Sequence, residues 1–380
     1  MIDFKLSLEQ ELIQETARNF ANDYLFKGVM NRDLKSEFPK LEIQKMGELG
    51  LMGMMVPTKW GGAELDTISY VLAIEEIAAV ELASSTIMSV NNSLVCYVLQ
   101  KWGTNFQKKK YLTLLASGEK LGAYSLSEPQ SGSDASNMMT TAKKSGSDYI
   151  INGTKNWVTS GINSDYVIIF CKTTNERNHE KISSFLIEKG VGGFKVGKKE
   201  DKLGLRASDT CELYFDNCKV PEENLIGKEG EGFKIALGAL NGGRIGIASQ
   251  AVGLARSALG KATAYAKERN QFGRPIAEFG SIRNKIADMA TDIDAARLLV
   301  LNAAYRKDNG LAYVKESAMA KLFASKIANK AARECVQIHG GYGYLQEYGV
   351  ERLMRDAKIT EIYEGTSEIQ RLVIGKELLK

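Results

Sequence analysis

Three long helical patterns in the C-terminal part of the chain constrain its fold more than any other feature. They span residues 244–270, 281–308 and 311–338, and each is long enough to run the length of a helical bundle. A helix of this length buries its apolar face by packing against neighbours of similar length. A Gly-rich stretch after Pro221 separates these patterns from the preceding sequence. We therefore expect the last part of the chain to be a helical bundle.

The middle of the chain has a different texture. Short runs rich in β-branched and aromatic residues, such as 166–172, 182–188 and 211–216, are separated by Gly, Ser, Asp and Asn. About seven such runs fit between residues 119 and 225, which predicts a β-barrel or a β-sandwich.

Helical patterns also occupy the first part of the chain, from residue 7 to about 117. Residues 66–81 are apolar nearly all round, which predicts a buried helix, and a later helix is expected to stop at Gly118. Two capping boxes mark helix starts, one at Ser7 with Gln10 and one at Thr104 with Gln107. The sequence shows no internal repeat and no Pro-rich linker, so we expect the three parts to pack together as domains 1–118, 119–225 and 226–380.

Composition excludes several function classes. The 50 Lys and Arg residues against 46 Asp and Glu give a net charge of +4 without a basic patch, so we do not expect nucleic-acid binding. The five cysteines are widely spaced, and His179 and His339 are the two histidines, so neither a disulfide framework nor a metal site is expected. The N-terminus has no targeting pattern and no apolar stretch suggests a membrane span. We expect a reducing compartment, cytoplasmic in a bacterium or the mitochondrial matrix for a processed form.

Common phosphate-binding signatures are missing from the sequence. No G-x-G-x-x-G follows a strand pattern, and no G-x-x-x-x-G-K-[ST] run occurs. The glycines of HGGYGY have the wrong spacing and by themselves fit a helix-ending turn. Composition and organisation alone therefore leave the function open.

Four segments nevertheless resemble stretches characteristic of the acyl-CoA dehydrogenase family, in the family's order. They are AYSLSEPQSGSDAS (Ala123–Ser136), NGTKNWVTSG (Asn152–Gly161), ERNQFGRPI (Glu268–Ile276), and the pair QIHGGYGY and IYEGTSEIQR within Gln337–Arg371. One such motif would be weak evidence, but four in register are strong evidence, and the resemblance extends over essentially the whole chain. The resemblance implies an α+β fold with an N-terminal α-helical domain, a middle β-barrel or sandwich domain and a C-terminal four-helix bundle, assembled as a homotetramer.

The resemblance also implies that the chain binds FAD. Ser127 and main-chain groups of its loop would bond the flavin pyrimidine ring, Trp157 would pack beside the isoalloxazine, and Thr159 would bond near N5. Arg269 would hold the FAD pyrophosphate of a neighbouring subunit, which suits the fork of a guanidinium group. Gln337 and the Gly-rich turn after His339 would form the ADP-ribose site. The full set of expected cofactor residues is Tyr124, Leu126, Ser127, Ser133, Trp157, Val158, Thr159, Arg269, Phe272, Gln337, Gly340, Gly341, Thr366, Ser367 and Glu368.

Substrate residues follow from the same resemblance. Ser133 would reach the CoA portion. Asn241, Arg244 and Gly365 each match a position that contacts the substrate in the family. The sequence departs from the common family pattern at Gly280, where many relatives carry Gln. A glutamine contact to FAD is therefore not expected at this position.

Dehydrogenation of an acyl thioester needs a base for the α-proton and an acceptor for the β-hydride. No protein side chain accepts hydride, so a cofactor must do so. The family places its catalytic glutamate where this sequence has Glu364, between Tyr363 and Gly365. Some members use instead a glutamate immediately before an arginine that corresponds to Arg244, but this chain has Gly243 there. Glu364 is the expected base, in an apolar cleft that raises its pKa.

The expected reaction is 2,3-dehydrogenation of short- to medium-chain acyl-CoA, as in butyryl-CoA dehydrogenases, with electrons passed to electron-transfer flavoprotein. A glutaryl-CoA substrate is disfavoured, because residues 83–93 lack the arginine which that branch uses for a distal carboxylate. Three alternatives stay open: an enoyl-CoA reductase, an acyl-CoA oxidase on the same fold, and a non-catalytic acyl-CoA-binding relative.

Overall fold

The computed structural model describes residues 5–174 and 180–380 and has helices at both ends of the chain with a sheet between them. This order confirms the predicted α+β architecture. His179 lies outside the described residues.

The N-terminal part consists of short helices joined by turns and by π-helical segments. The capping boxes at Ser7 and Thr104 are both present, with each hydroxyl accepting from the backbone of the glutamine three residues later. The helices are α1 (Leu8–Phe20), α2 (Val29–Lys35), α3 (Lys40–Glu48), α4 (Thr67–Val80), α5 (Leu82–Ser89), α6 (Tyr97–Trp102), α7 (Asn105–Gln107) and α8 (Thr113–Ala116), with π segments at Ala21–Leu25, Val90–Cys96 and Lys108–Leu112.

Helix α4 and the helical stretch that follows it form the buried centre of this part. Asp66 caps α4 by accepting from the Ser69 backbone, and most of the helix is buried, as predicted from its apolar residues. By length and composition, Leu82–Trp102 could cross a membrane, contrary to the sequence-based expectation, but 94% of its most apolar window is buried in the protein. Its apolar character therefore reflects packing in the core.

The middle part is an eight-stranded mixed sheet. Its strands are β1 (Gly122–Ser125), β2 (Thr141–Ser145), β3 (Asp148–Thr159), β4 (Tyr166–Thr174), β5 (Glu180–Glu188), β6 (Phe194–Lys199), β7 (Thr210–Pro221) and β8 (Leu225–Ile226). They lie in the order β6-β7-β3-β2-β4-β5-β8, and β1 pairs in parallel with β4, beside the short parallel ladder that joins β2 to β4.

The C-terminal part begins with a helix longer than the sequence pattern predicts. Helix α9 runs through Gly232–Glu268, and thus starts before the expected residue 244 because Gly242 and Gly243 continue the helix instead of interrupting it. A small hairpin, β9 (Asn270–Gln271) with β10 (Arg274–Pro275), was not expected from the sequence. The remaining helices are α10 (Gly280–Asp308), α11 (Val314–His339), α12 (Val350–Ala357) and α13 (Ser367–Leu378). Short 3₁₀ turns lie at Thr58–Trp60, Ala135–Asn137, Glu222–Asn224, Ile276–Glu278, Gly340–Tyr344, Gln346–Tyr348 and Lys358–Glu361.

The three parts share hydrophobic cores, as expected from the missing linkers. Helix α9 packs against α4, α10 and α11, and α13 packs against α11 to complete a four-helix arrangement. One core joins N-terminal residues such as Ile74 to C-terminal residues such as Leu254. A second core joins Leu94, Phe170 and Ile235, one from each part. Helix α9 therefore lies where all three parts meet.

Candidate active site

Glu364 lies in the turn that precedes α13, in an unusual backbone conformation. Its φ is 52° and that of Gly365 is 96°, so two successive residues are left-handed. Thr366 then caps α13 by accepting from the Ile369 backbone. A non-glycine residue is held left-handed only where its surroundings enforce it, and such residues cluster at functional sites. The turn therefore aims a carboxylate inward at a cost in backbone strain.

The Glu364 carboxylate is buried and incompletely paired. Its Oε2 atom is inaccessible to solvent and has no hydrogen-bond partner among the described residues. Burial raises the pKa of Glu364 to about 7, against the lowering effects of the nearby Lys321 and Arg244 cations. A carboxyl with this pKa is partly ionised at neutral pH and can take up a proton there. The sequence-based expectation of a raised pKa agrees with this value.

Gly243 provides the space for this carboxylate. A Cβ atom built on Gly243 would overlap the Glu364 Oε2 atom. A side chain at position 243 and the present carboxylate position therefore exclude each other. In the sequence, Gly243 indicated only that the alternative glutamate base is missing. In the structure it also has a direct steric role.

Arg244 and Asn241 lie together on the same stretch of α9. Arg244 is 4% exposed, and its Nη1 donates to Asn241 Oδ1 at 2.8 Å. Its Nε has no partner among the described residues, and burial lowers its pKa while Glu364 raises it. A buried guanidinium with an unused donor beside a buried carboxylate is suited to contact a polar substrate group. The structure thus places Asn241, Arg244, Gly365 and Glu364 in one region.

Tyr124 and Leu126 begin the loop that follows β1. The Tyr124 hydroxyl donates to the Ala236 carbonyl of α9 at 3.3 Å. Burial is the main cause that raises the pKa of Tyr124, and the nearby Glu364 raises it further. Tyr124 therefore faces the cleft of Glu364. Leu126 is half-buried, Ser127 accepts through its carbonyl from the Asn156 backbone, and Ser133 is exposed.

A buried ion pair holds this loop against β3. Lys155 Nζ donates to Glu128 Oε1 at 2.8 Å and to the Leu126 carbonyl at 3.2 Å, and both charged side chains are almost fully buried. Burial would raise the pKa of Glu128, but Lys155 and the donors from Met139 and Thr140 hold it at about 2. Glu128 therefore stays ionised at neutral pH, and its contact with Lys155 fixes the loop that carries Ser127.

Trp157 and Thr159 lie at the end of β3. Trp157 has a φ of 58° and is 61% exposed, whereas Val158 is buried and Thr159 is half-buried. A left-handed backbone and an exposed large aromatic side chain both disfavour the folded state of the isolated chain. This placement suits an aromatic group that would stack on the indole.

A cleft of about 650 Å³ lies beside the small hairpin and the end of α11. Its lining includes Arg269, Phe272, Gly340 and Gly341, so four predicted cofactor residues meet there. Phe272 is 92% exposed with a φ of 52°, and the Arg269 guanidinium lies over the Tyr342 ring at 5.3 Å. Gln337 is exposed on the preceding turn of α11. His339 is buried and stacks on Tyr265, which agrees with a packing role.

A second cleft of about 640 Å³ contains Thr366, Ser367 and Glu368. These residues lie at the start of α13, where Thr366 accepts from the Ile369 backbone. A helix start favours phosphate. The predicted cofactor residues of one chain therefore fall into three places: the sheet end, the hairpin cleft and the α13 cleft.

Lys321 was not predicted from the sequence, although it lies close to the predicted base. It is 1% exposed, and burial lowers its pKa to about 8. The signal was a lysine on the small-residue face of the predicted helix 311–338, where Ala324 and Ala328 follow it. No group of three or more His, Cys, Asp or Glu residues suited to a metal ion was found in residues 5–174 and 180–380.

Three family models cover most of the chain. The acyl-CoA dehydrogenase N-terminal domain matches residues 7–119, the middle domain matches residues 123–218, and the C-terminal domain matches residues 230–379. All three carry the family name that the sequence motifs suggested.

Curated relatives agree with these models over the full length. The short-chain-specific acyl-CoA dehydrogenase of Clostridium acetobutylicum is 47% identical over 379 residues, which are 100% of both chains. An acryloyl-CoA reductase (NADH) of Anaerotignum propionicum is 44% identical over 381 residues, covering 100% of this chain and 96% of the relative.

Solved structures give the same answer for the fold. Butyryl-CoA dehydrogenase from Megasphaera elsdenii has a TM-score of 0.97 at 44% identity, with 100% of both chains covered. A chain in a structure described as the electron transferring flavoprotein of Acidaminococcus fermentans has a TM-score of 0.98 at 46% identity, again over 100% of both chains. The motifs, the fold and these matches agree that the chain belongs to the acyl-CoA dehydrogenase family of oxidoreductases.

Proposed function

We propose that this protein oxidises short- to medium-chain straight acyl-CoA thioesters to trans-2-enoyl-CoA, with Glu364 as the base that removes the α-proton. The observation that carries the proposal is the buried Glu364 carboxylate, whose Oε2 has no partner among the described residues and whose pKa is raised to about 7. A base of this pKa matches neutral operating conditions. The 47% identical short-chain relative supports the substrate class.

FAD is the cofactor that the residues fit. The exposed Trp157 indole offers an aromatic face, and the start of α13 and the Arg269 guanidinium offer groups for phosphates. Bound there, FAD would supply the acceptor for the β-hydride. Tyr124, Leu126, Ser127, Val158 and Thr159 would hold the flavin end. Arg269, Phe272, Gln337, Gly340 and Gly341 would hold the nucleotide end, with Arg269 reaching the FAD of a neighbouring subunit.

The chain's own residues would prepare the substrate for proton removal. Arg244 and Asn241 would bind the acyl-CoA near the thioester, while Tyr124 and Gly243 would shape the wall that keeps water from Glu364. The α-proton would pass to Glu364, whose burial strengthens it as a base. Electron-transfer flavoprotein is the acceptor we propose for the electrons, supported by the 46% identical chain in a structure of that name.

We further propose a homotetramer in which neighbouring subunits complete each cofactor site. Support comes from the separation of the predicted cofactor residues into the hairpin cleft and the α13 cleft of one chain.

Glu364→Gln tests the proposed base. The amide is nearly isosteric but cannot accept the α-proton, so FAD and acyl-CoA binding should persist while the rate falls by roughly 10²- to 10⁴-fold. The measurement is flavin bleaching by butyryl-CoA in anaerobic stopped flow at saturating substrate. Glu347→Gln, at an exposed glutamate, is the matched control and should keep the wild-type rate. A Glu364→Gln protein that reduces its flavin at the wild-type rate would show that the base lies elsewhere.

A second candidate function is the reverse reaction, reduction of an enoyl-CoA. It is favoured by the 44% identical acryloyl-CoA reductase, and it would use the same residues in the opposite direction. Assays of butyryl-CoA with electron-transfer flavoprotein, and of enoyl-CoA with NADH, distinguish the two directions. Oxygen consumption in the first assay would indicate an oxidase, and an absence of flavin would indicate a non-catalytic relative.

A further inference from the structure

Lys321 is a buried lysine whose ammonium group has a specific backbone partner. It lies on α11, and its Nζ donates to the Gly365 carbonyl oxygen at 2.5 Å. A fully buried ammonium is costly unless it is paired or hydrogen-bonded. Position 321 could otherwise hold an apolar residue, since Ala318, Ala324 and Ala328 on the same helix are all buried. The contact with Gly365 therefore indicates a role in the turn that carries Glu364.

The Gly365 carbonyl is held from two sides. Gln370 Nε2, on α13, donates to the same oxygen at 2.8 Å and to the Glu364 carbonyl at 3.3 Å. The two residues whose carbonyls are held are the left-handed ones, with φ of 52° at Glu364 and 96° at Gly365. Because these conformations are strained, contacts from outside the turn must hold them.

We propose that Lys321 is a positioning residue for Glu364: it ties the Gly365 carbonyl to α11 and so keeps the Glu364 carboxylate beside Gly243 and Arg244. This inference rests on the proposed function, because it assigns Lys321 a role only if Glu364 is the base. Lys321 does not itself take part in proton transfer.

The charge of Lys321 adds to this effect. The charged groups that face Glu364 are Lys321 from α11 and Arg244 from α9, and Tyr70, Tyr124 and Tyr363 are the titratable hydroxyls around it. Glu361 and Glu368 also lie near the Lys321 ammonium and raise its pKa. Burial lowers the pKa of Lys321 to about 8, so it is mostly protonated at neutral pH. Both cations hold the pKa of Glu364 down, and removal of Lys321 should raise it further.

Lys321→Met and Lys321→Gln separate the two effects in the FAD-loaded protein. Methionine removes the charge and the donor, whereas glutamine keeps a donor for the Gly365 carbonyl. Two quantities are measured: the limiting rate of flavin reduction by butyryl-CoA across pH, and the titration of the Glu364 carboxyl by infrared difference spectroscopy against Glu364→Gln. Lys330→Met is the control, since Lys330 lies on the same helix but pairs with Asp292 of α10 and not with the turn that carries Glu364.

For Lys321→Met we expect the Glu364 midpoint to rise by about one pH unit or more. The limiting rate should fall by roughly 10- to 100-fold because the base is displaced, with little change in the KM for butyryl-CoA. Lys321→Gln should recover part of the rate while its midpoint stays raised. Lys330→Met should match the wild type in both measurements.

Retention of the wild-type midpoint and rate in either Lys321 variant would overturn the positioning role, even if Glu364→Gln is inactive. An active Glu364→Gln would instead refute the proposed function and leave Lys321 without this role. If Lys321→Met does not fold, the glutamine variant decides the question: a raised midpoint together with a reduced limiting rate supports the proposal, and a wild-type limiting rate overturns the positioning role.

Discussion

At the scale of single residues, opposing effects set the basicity of Glu364. Burial alone would favour the neutral acid and would leave no base at neutral pH, whereas Lys321 and Arg244 stabilise the carboxylate. The balance places the pKa at about 7, where proton uptake and release are both accessible. A carboxylate in this state is useful for catalysis but is unfavourable for folding whenever it is charged.

This conflict predicts a pH-dependent cost in stability. The pKa of Glu364 is raised from 4.5 to about 7, so between these values the folded protein holds more protons than the unfolded chain. The contribution of Glu364 to the free energy of unfolding is therefore fully present below pH 4.5 and is lost as the pH rises to about 7, by at most about 3 kcal/mol. Glu364→Gln lacks this loss. Urea unfolding at about pH 5 and about pH 8 should show the variant gaining stability relative to the wild type at the higher pH. An equal difference between the two proteins at both pH values would contradict the raised pKa.

At the scale of secondary-structure elements, the glycines of α9 weaken the helix, but one of them makes room for the Glu364 carboxylate. Helix interiors disfavour glycine, which is why the sequence pattern placed the start of this helix near residue 244 and not at Gly232. The structure shows why Gly243 is nevertheless present: the Glu364 carboxylate occupies the space of its missing side chain. Gly260, on the same helix, is exposed, and a Cβ added to it would have no neighbour within 4 Å among the described residues.

Gly243 and Gly260 of α9 therefore predict opposite outcomes for the same substitution. Gly243→Ala should push the carboxylate from its position and lower the limiting rate of flavin reduction by roughly 10-fold, with the fold retained because a flexible side-chain end can move. Gly260→Ala should keep the wild-type rate and raise stability by about 0.5–1 kcal/mol, since alanine favours the helix. Stopped flow and urea unfolding measure the two effects. Equal rates in both variants would remove the steric role of Gly243.

At the scale of the whole molecule, periodicity predicted the architecture but not the site. Helices at 67–80 and 280–308 and the strands around Ile168, Phe185 and Leu213 follow from their apolar patterns and breakers. The position of Glu364 came from a motif, because nothing local distinguishes it from other glutamates. Lys321 was missed because its partner is a backbone carbonyl 44 residues away, which only the packing of α11 against the turn before α13 brings near.

The predicted cofactor residues are distributed in a way that bears on assembly. Arg269 and Phe272 project from a small hairpin on one side of the bundle, while Thr366 and Ser367 lie in a different cleft. Phe272 is 92% exposed in a strained conformation, which suits contact with another subunit. The proposed tetramer would place this hairpin against a neighbour's FAD.

Arg269→Ala tests this arrangement. The guanidinium contacts Tyr342 within its own chain at 5.3 Å, a contact of about 0.5–1 kcal/mol, so the protomer should lose little stability. Loss of charge-assisted bonds to a pyrophosphate should weaken FAD binding by roughly 10-fold or more. Arg274→Ala is the matched control, because Arg274 lies in the same hairpin but outside the cleft lining and packs over Phe279. FAD is titrated into each apoprotein while urea unfolding reports on the protomer. Wild-type FAD affinity in Arg269→Ala, or an equal loss in Arg274→Ala, would mean that Arg269 does not hold the pyrophosphate.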